Sequence, residues 1–567
     1  MKIFNLKFLI QFFFFISIFN IVYAKNLDKY YDEDRFSNYL SGLISLNSND
    51  FENSYKYLKQ VQGLQKDHSI YSNLYLFTLV NLGRIDEAQK FSRKLTKKGI
   101  SNYESNLVAG IYFLKKKKYE EAKTYFDQLN SSNKIENLND LIGHTMKIWV
   151  TTAFTDSKES LKLINDIPKR FDEIKKIQKA FFKCLNKDID TEENFRQLSE
   201  NKDTNTARYN FFYLNYLNNS GKKTESLNKV NNLVKSYPNS LLLNQLKIDL
   251  QNKKNEINYN NFNCNNLEDV VAEILYIIST SLSAQSVYTI SNFYLSLSKF
   301  LNPKFKSMDV LFANNLKMTD KKERAKIVYG KFNDKNSVYY WFSSKQIANI
   351  LSQQDKDSLK FMTNRFNKVK SPSIYQIFDY AEFLKNNEKF EKAILKYTEV
   401  INLIDKKHPL YPEATDGRGI CYERNGKWEK AEKDFLNSLS VSPDQPYVIN
   451  YLAYSWIEKG MNIEKSLRML KKANKLKKND GYIIDSLGWA LFKLKKYEEA
   501  KFYLELAVRL MPSDPIVNDH YADSLWMNNF NIQARYFWQY VLKLEKVKKD
   551  LRENIQKKLI FGPKLKI

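Results

Sequence analysis

Small residues recur along this chain at a spacing close to 34, and that recurrence constrains the fold more than any other feature. One series runs Ser54, Ala88 and Ala122 at steps of 34, then Ala393, Ala431, Ser466, Ala500 and Ala534 at steps of 38, 35, 34 and 34. Ala325 lies 68 residues before Ala393, two repeat lengths. A second series precedes the first by about a third of a repeat: Gly42, Gly110, Ala381, Gly419, Ala453, Gly488 and Ala522. A third, bulky, series falls between them at Phe51, Ile85, Tyr119, Phe390, Trp428 and Tyr497. Small residues at two fixed phases are what a pair of closely crossing antiparallel helices requires, and bulky residues fill the space around the crossing. Pro238, Pro303, Pro443 and Pro512 stand where the second helix of a pair must stop. Ala453 and Ser466 are one residue further apart than the pattern asks, which predicts a longer turn inside that pair.

In the stretch from Gly481 to Asp514, Leu487, Gly488, Leu491, Tyr497, Ala500, Leu504, Ala507 and Pro512 occupy positions 7, 8, 11, 17, 20, 24, 27 and 32 of a 34-residue unit. This resembles the tetratricopeptide repeat (TPR). The expected fold is therefore all-α: helix-turn-helix repeats stacked into a right-handed superhelical solenoid with a concave inner face. With 567 residues the chain is too long for one compact core, and 15 glycines and 11 prolines are too few for an all-β design. The pattern divides into an N-terminal array at 33–240, degenerate at 136–206, and a C-terminal array at 267–548. Between them 241–266, which ends in the Asn/Lys-rich QNKKNEINYNNFNCNN, reads as a linker or loop, and 549–567 as a capping helix with a basic tail.

The termini carry their own signals. Lys2 and Lys7 precede an apolar run from Phe8 to Tyr23, and Val22 and Ala24 suit the −3 and −1 positions of a cleavage site. This predicts a secretory signal peptide at 1–24, cut after Ala24, and a periplasmic protein. No cysteine lies near that site, so no lipid anchor is expected there. From Lys546 to Ile567 eight Lys/Arg stand against two acids, a cluster suited either to peripheral contact with anionic lipid or to a soluble tail. The net charge of +26 is otherwise spread along the chain as lysine on solvated helix faces, so no nucleic-acid partner is read from it.

Catalytic chemistry finds little material. His68, His144, His408 and His520 are the only histidines, none in HExxH or at metal-ligand spacing, and GxSxG, GxxxxGK[ST] and GxGxxG are absent. His520, within the first helix of the last repeat, reads as a packed or capping histidine. Cys184, Cys264 and Cys421 are odd in number and widely spaced, neither a disulfide framework nor a zinc site. Cys421 falls in a core pattern, and a Cys184–Cys264 bridge is one open possibility. No cofactor, metal or enzymatic activity is expected.

The inner face offers a binding reading instead. Position 5 of the last four repeats is Asp416, Asn450, Asp485 and Asp519, which stacks into a polar ladder. Tyr447, Tyr454, Tyr482, Trp489, Phe492 and Trp526 flank it. Aromatics open to a groove mark a binding surface, and the ladder suits a protein or peptide carrying Lys, Arg or a free amine. The competing reading is that these residues pack between repeats.

The runs NYLAYSWIEKG (450–460), DSLGWALFKLKKYEEAKFYLELAVRLMPSDP (485–515) and NDHYADSLWMNNFNIQARYFWQYVL (518–542) are similar to those of a bacterial family of envelope TPR proteins. Ala453 and Tyr521-Ala522 depart from the glycine-containing versions. Lipoproteins of similar layout bind a carboxyl-terminal processing protease and deliver substrates to it. The resemblance implies a periplasmic adaptor or scaffold, with an envelope protease or its substrates as partner. Alternatives are an assembly factor for outer-membrane or polysaccharide machinery, or a cell-wall-acting helical-superhelix enzyme, for which no catalytic domain is found.

Overall fold

The computed structural model describes residues 33–64, 68–129, 134–154, 157–200, 206–252, 259–354, 356–545 and 547–563. The expected signal peptide at 1–24 and the last four residues of the basic tail lie outside them. The described residues form an all-α protein of thirty helices, with one 3-10 turn at Lys169–Phe171 and a single isolated bridge between Asn260 and Phe305. The chain divides after Ser358 into two compact units.

The first unit contains α1 (Glu33–Asn47), α2 (Phe51–Gln60), α3 (Ser69–Asn81), α4 (Ile85–Thr96), α5 (Tyr103–Lys115), α6 (Tyr119–Phe126), α7 (Leu138–Thr152), α8 (Ser157–Asn165), α9 (Asp172–Leu185), α10 (Thr191–Glu200), α11 (Thr206–Asn219), α12 (Lys223–Ser236), α13 (Leu241–Gln251), α14 (Leu267–Ala284), α15 (Tyr288–Leu301), α16 (Ser307–Met318), α17 (Lys322–Gly330) and α18 (Val338–Gln353). The second holds α19 (Ser358–Asn367), α20 (Ile374–Asn386), α21 (Phe390–Leu403), α22 (Leu410–Arg424), α23 (Trp428–Val441), α24 (Pro446–Glu458), α25 (Ile463–Leu476), α26 (Gly481–Lys493), α27 (Tyr497–Leu510), α28 (Pro515–Met527), α29 (Asn531–Lys543) and α30 (Lys549–Phe561).

The repeat pattern has a direct steric cause. A Cβ added to Gly488 would lie 2.6 Å from the Leu504 side chain, and one added to Gly419 would lie 2.8 Å from the Phe435 ring. Position 8 of the first helix thus presses on position 24 of the second: at Gly488 and Gly419 even a methyl group would force the facing side chain to shift, and the other pairs keep the position as small as alanine, at Ala381, Ala453 and Ala522. The four prolines each stand two residues past a helix end, at Ser236, Leu301, Val441 and Leu510. The turn inside each pair shows a regularity that residue identity conceals. Position 15 takes positive φ whether it is Asn49 (56°), Lys117 (57°), Glu388 (58°), Gly426 (72°), Gly460 (70°), Lys495 (60°) or Asn529 (66°). The amides that follow close the helix: Lys495 N–H donates to Phe492 O at 2.9 Å, and Lys496 N–H to Leu491 O at 2.9 Å. The longer turn predicted between Ala453 and Ser466 contains two such residues, Gly460 and Asn462.

Two features of the organisation are not visible in the repeat pattern. Within the stretch 241–266, expected as a linker or loop, Leu241–Gln251 is helix α13, and Phe262 and Cys264 are buried. The repeat pattern breaks at 241–266, whereas the compact units divide after Ser358. The reason is tertiary. The hairpin α14–α15 packs back on the N-terminal array, α14 against α7 and α9 and α15 against α3 and α5. Phe77 stacks on Phe293 at 5.2 Å and Tyr112 on Phe300 at 6.0 Å. The Arg208 guanidinium makes a two-pronged bond to the buried Glu273 carboxylate, with Nε–Oε1 at 2.6 Å. Cys184 on α9 and Cys264, three residues before α14, form a disulfide. Polar Asn residues around Cys264 made this stretch look solvated. They are spent instead on internal bonds, such as Asn260 to the Tyr339 hydroxyl at 3.0 Å.

Candidate functional site

In the second unit the first helices of successive pairs form the inner layer: α20 packs on α22, α24 on α26 and α26 on α28. The ladder positions lie on this layer, and the structure separates them into a sealed end and an open end.

At the C-terminal end the rungs are filled by the chain itself. Asp485 is 5% exposed and accepts from His520 Nδ1 at 3.0 and 3.1 Å. The imidazole stacks on Trp489, centroids 3.9 Å apart, and Trp489 stacks on Phe492 at 4.8 Å. The Trp489 indole N–H donates to Glu458 at 2.6 Å. Burial would lower the His520 pKa, but the carboxylates of Asp485, Asp519 and Asp523 overcome it and raise the value. Asp519, also 5% exposed, accepts from Trp538 Nε1 at 3.0 Å and from the Lys558 ammonium at 2.8 Å on both oxygens. Lys558 also donates to Asp523 at 2.8 Å. Burial and the neighbouring Asp519 charge push the Asp523 carboxyl up to about 7. Trp526 is half-buried between Trp538 and the Arg535 guanidinium, the latter 4.8 Å from its ring.

The expectation of an open groove is therefore corrected for Asp485, Trp489, Phe492 and Asp519, which pack between helices; Lys558 lies on α30, in the stretch expected to begin with a capping helix. His520 is packed, as its place in the repeat suggests, with Asp485 as its partner. The Lys558–Asp519 contact leaves no mark in the repeat pattern, because the two residues are 39 apart and Lys558 lies beyond the last repeat.

At the other end the rungs are not filled. Asp416 on α22 and Asn450 on α24 are half-buried, and each has a buried Oδ1 with no hydrogen-bond donor. Burial pushes the Asp416 carboxyl up to about 7, against the attraction of Lys385 and with the repulsion of Glu382 and Glu413. Lys385 is held by Glu382, with Nζ–O distances of 2.8 and 2.9 Å. Tyr454 is half-buried, and its hydroxyl is held neutral by burial and the nearby Glu458 and Asp485 charges. Tyr447 and Tyr482 are more than half exposed, at 54% and 57%. The Tyr447 hydroxyl donates to Asp480 at 3.2 Å, in the turn before the next inner helix, and Lys477 lies over the Tyr447 ring at 4.1 Å. These residues make a surface able to take hydrogen bonds and aromatic contacts from another chain. Among the described residues no group of three His, Cys, Asp or Glu side chains is placed to hold a metal ion, and no helix is long and apolar enough to cross a membrane.

The family model for the tetratricopeptide repeat matches residues 484–514, within α26 and α27. Residues 484–514 are a tetratricopeptide repeat. The helix pairs from α20 to α29 share its steric pattern at positions 8 and 20. A TPR repeat-containing protein of Pseudomonas aeruginosa is 28% identical over 143 residues, which cover 24% of this chain and 22% of that protein. The match thus spans about a fifth of the length of that curated relative. Among solved structures, the Cut9–Hcn1 hetero-tetramer of APC/C aligns over 93% of this chain and 96% of its own, with 12% identity and a TM-score of 0.37. A TPR protein of Thermus thermophilus aligns over 33% of this chain and 99% of its own, with 16% identity and a TM-score of 0.29.

Proposed function

We propose that this protein is an exported TPR scaffold that binds a protein or peptide partner on the inner face of α20, α22 and α24. The observation that carries the reading is the contrast along one layer. Asp485 and Asp519 are bonded within the chain, while among the described residues Asp416 Oδ1 and Asn450 Oδ1 meet no donor; at the sealed end the same holds for one oxygen of Asp523, whose other oxygen accepts from Lys558. Buried acceptors are usually hydrogen-bonded, so an acceptor without a donor beside an open face is a place where a partner can supply one. The first unit offers no comparable face on α3, α5, α7 and α9, because α14 and α15 already cover it.

Export to the periplasm is supported by the basic, apolar and small-residue succession of 1–24 and by the Cys184–Cys264 disulfide, which belongs to an oxidising compartment. An envelope processing protease or its substrates is the partner that the resemblance of 412–548 favours. The test is a photo-crosslinking residue placed at Asn450 in the full chain, with a second placed at the outward-facing Glu429. Crosslinks to one envelope protein from Asn450 and none from Glu429 are expected. Equal crosslinking from both would sink the assignment. Fractionation together with N-terminal sequencing tests export, the expected mature chain beginning at Lys25.

A further inference from the structure

The inner face of α20, α22 and α24 carries its own statement of ligand charge. At its inward positions stand Glu382, Glu413, Asp416, Glu423 and Glu458 against only Lys385 and Arg424, in a chain whose net charge is +26. Most of these acids are already engaged. Glu382 holds Lys385 at 2.8 Å, Glu423 lies 3.6 Å from Arg424 and accepts from the Tyr451 hydroxyl at 3.0 Å, and Glu458 accepts from Trp489. Glu413 and Asp416, three residues apart on the first two turns of α22, have no ion-pair partner among the described residues. The same protein shows what a rung of this kind accepts. In the last pair, position 5 is Asp519 and position 9 is Asp523, and the cation between them is the Lys558 ammonium at 2.8 Å from each. That ammonium arrives on α30, a segment outside the repeats that packs on α29, and its side chain reaches Asp519 and Asp523 on α28.

We infer that Glu413 and Asp416 receive the ammonium or guanidinium of a lysine or arginine on a bound peptide, as Asp519 and Asp523 receive Lys558. This rests on the proposed inner-face function and specifies its ligand. The exposed Tyr447 ring and the half-buried Tyr454 and Ile420 would cover the apolar stem of such a side chain, which long cationic residues require when the head group is docked. Occupation would also supply the charge that the raised Asp416 carboxyl lacks.

The experiment is selection of a random dodecapeptide library on the immobilised full chain, in parallel with Glu413→Gln/Asp416→Asn, Tyr447→Ala/Tyr454→Ala and the outer-face control Glu429→Gln. The inference expects Lys or Arg enriched at one fixed position. It also expects a selected peptide to lose about tenfold in affinity on Glu413→Gln/Asp416→Asn, with no loss on Glu429→Gln. Selected peptides without a fixed cation that still depend on Tyr447 and Tyr454 would overturn the inference and leave the inner-face function standing. Selection of nothing above background, with circular dichroism showing all variants folded, would overturn both.

Discussion

The Lys558 ammonium lies 2.8 Å from both carboxylate oxygens of Asp519, in a site where the two residues are 8% and 5% exposed. This bond joins the last helix to the inner layer and closes the ladder at its C-terminal end. Replacing the lysine leaves Asp519 and Asp523 buried without their cation. Lys558→Met is expected to destabilise the second unit by about 3 kcal/mol at pH 8. The loss is expected to be smaller at pH 5, where Asp523, whose carboxyl is already raised to about 7, takes up a proton. Thermal unfolding at the two pH values measures it; an equal loss at both would show that the ion pair is not what Lys558 contributes.

Asp416 carries the opposite expectation, because its charge is a cost. Its carboxyl is raised from 3.8 to about 7 in the folded chain. Below about pH 4 both folded and unfolded forms are protonated and there is no difference. As pH rises through 4 to 7 the unfolded chain ionises first, and stability falls. Above 7 the full penalty applies, at most about 4 kcal/mol. Asp416→Asn should therefore raise the Tm at pH 8 and leave it unchanged at pH 4. A variant that destabilises at pH 8 would mean that the carboxylate is internally satisfied.

The Cys184–Cys264 disulfide closes a separation of 80 residues and ties the entry of α14 to α9. Cys264→Ser should lower the stability of the first unit by about 2–4 kcal/mol. The wild type in reductant should match the variant. Non-reducing peptide mapping checks the linkage itself, and finding free thiols at both positions in protein purified from the periplasm would contradict it.

The repeat geometry makes a paired prediction on one helix hairpin. Gly488→Val forces a side chain into Leu504, 2.6 Å from where its Cβ must go, and should cost about 3 kcal/mol. Lys495→Gly, seven residues on, releases a non-glycine residue from φ of 60° and should stabilise by about 0.5–1 kcal/mol. Denaturant unfolding of both variants tests whether position 8 is limited by packing and position 15 by backbone.

The sequence by itself determined the local architecture. The 34-residue recurrence, the crossing residues such as Gly488 and Ala500, and the stops at Pro443 and Pro512 are short-range demands of two helices in contact, so they are written in order along the chain. The positive-φ turns were hidden because Lys117, Glu388 and Lys495 adopt a conformation that their identities do not advertise; only their shared position 15 reveals it. The ladder from Asp416 to Asp519 was legible as a set of positions, but not as a set of states. Which rungs are sealed depends on His520 and Lys558, and on where α30 returns. Likewise, only the tertiary structure decided that α14 and α15 cover the inner layer of the first unit and that α13, Phe262 and Cys264 contribute to its core. A periodic sequence specifies contacts between neighbours one repeat apart. Contacts between segments that leave the period, such as Lys558 with Asp519 or Arg208 with Glu273, are set by burial and charge pairing in three dimensions, and these decide which part of the inner face is covered and which is left open.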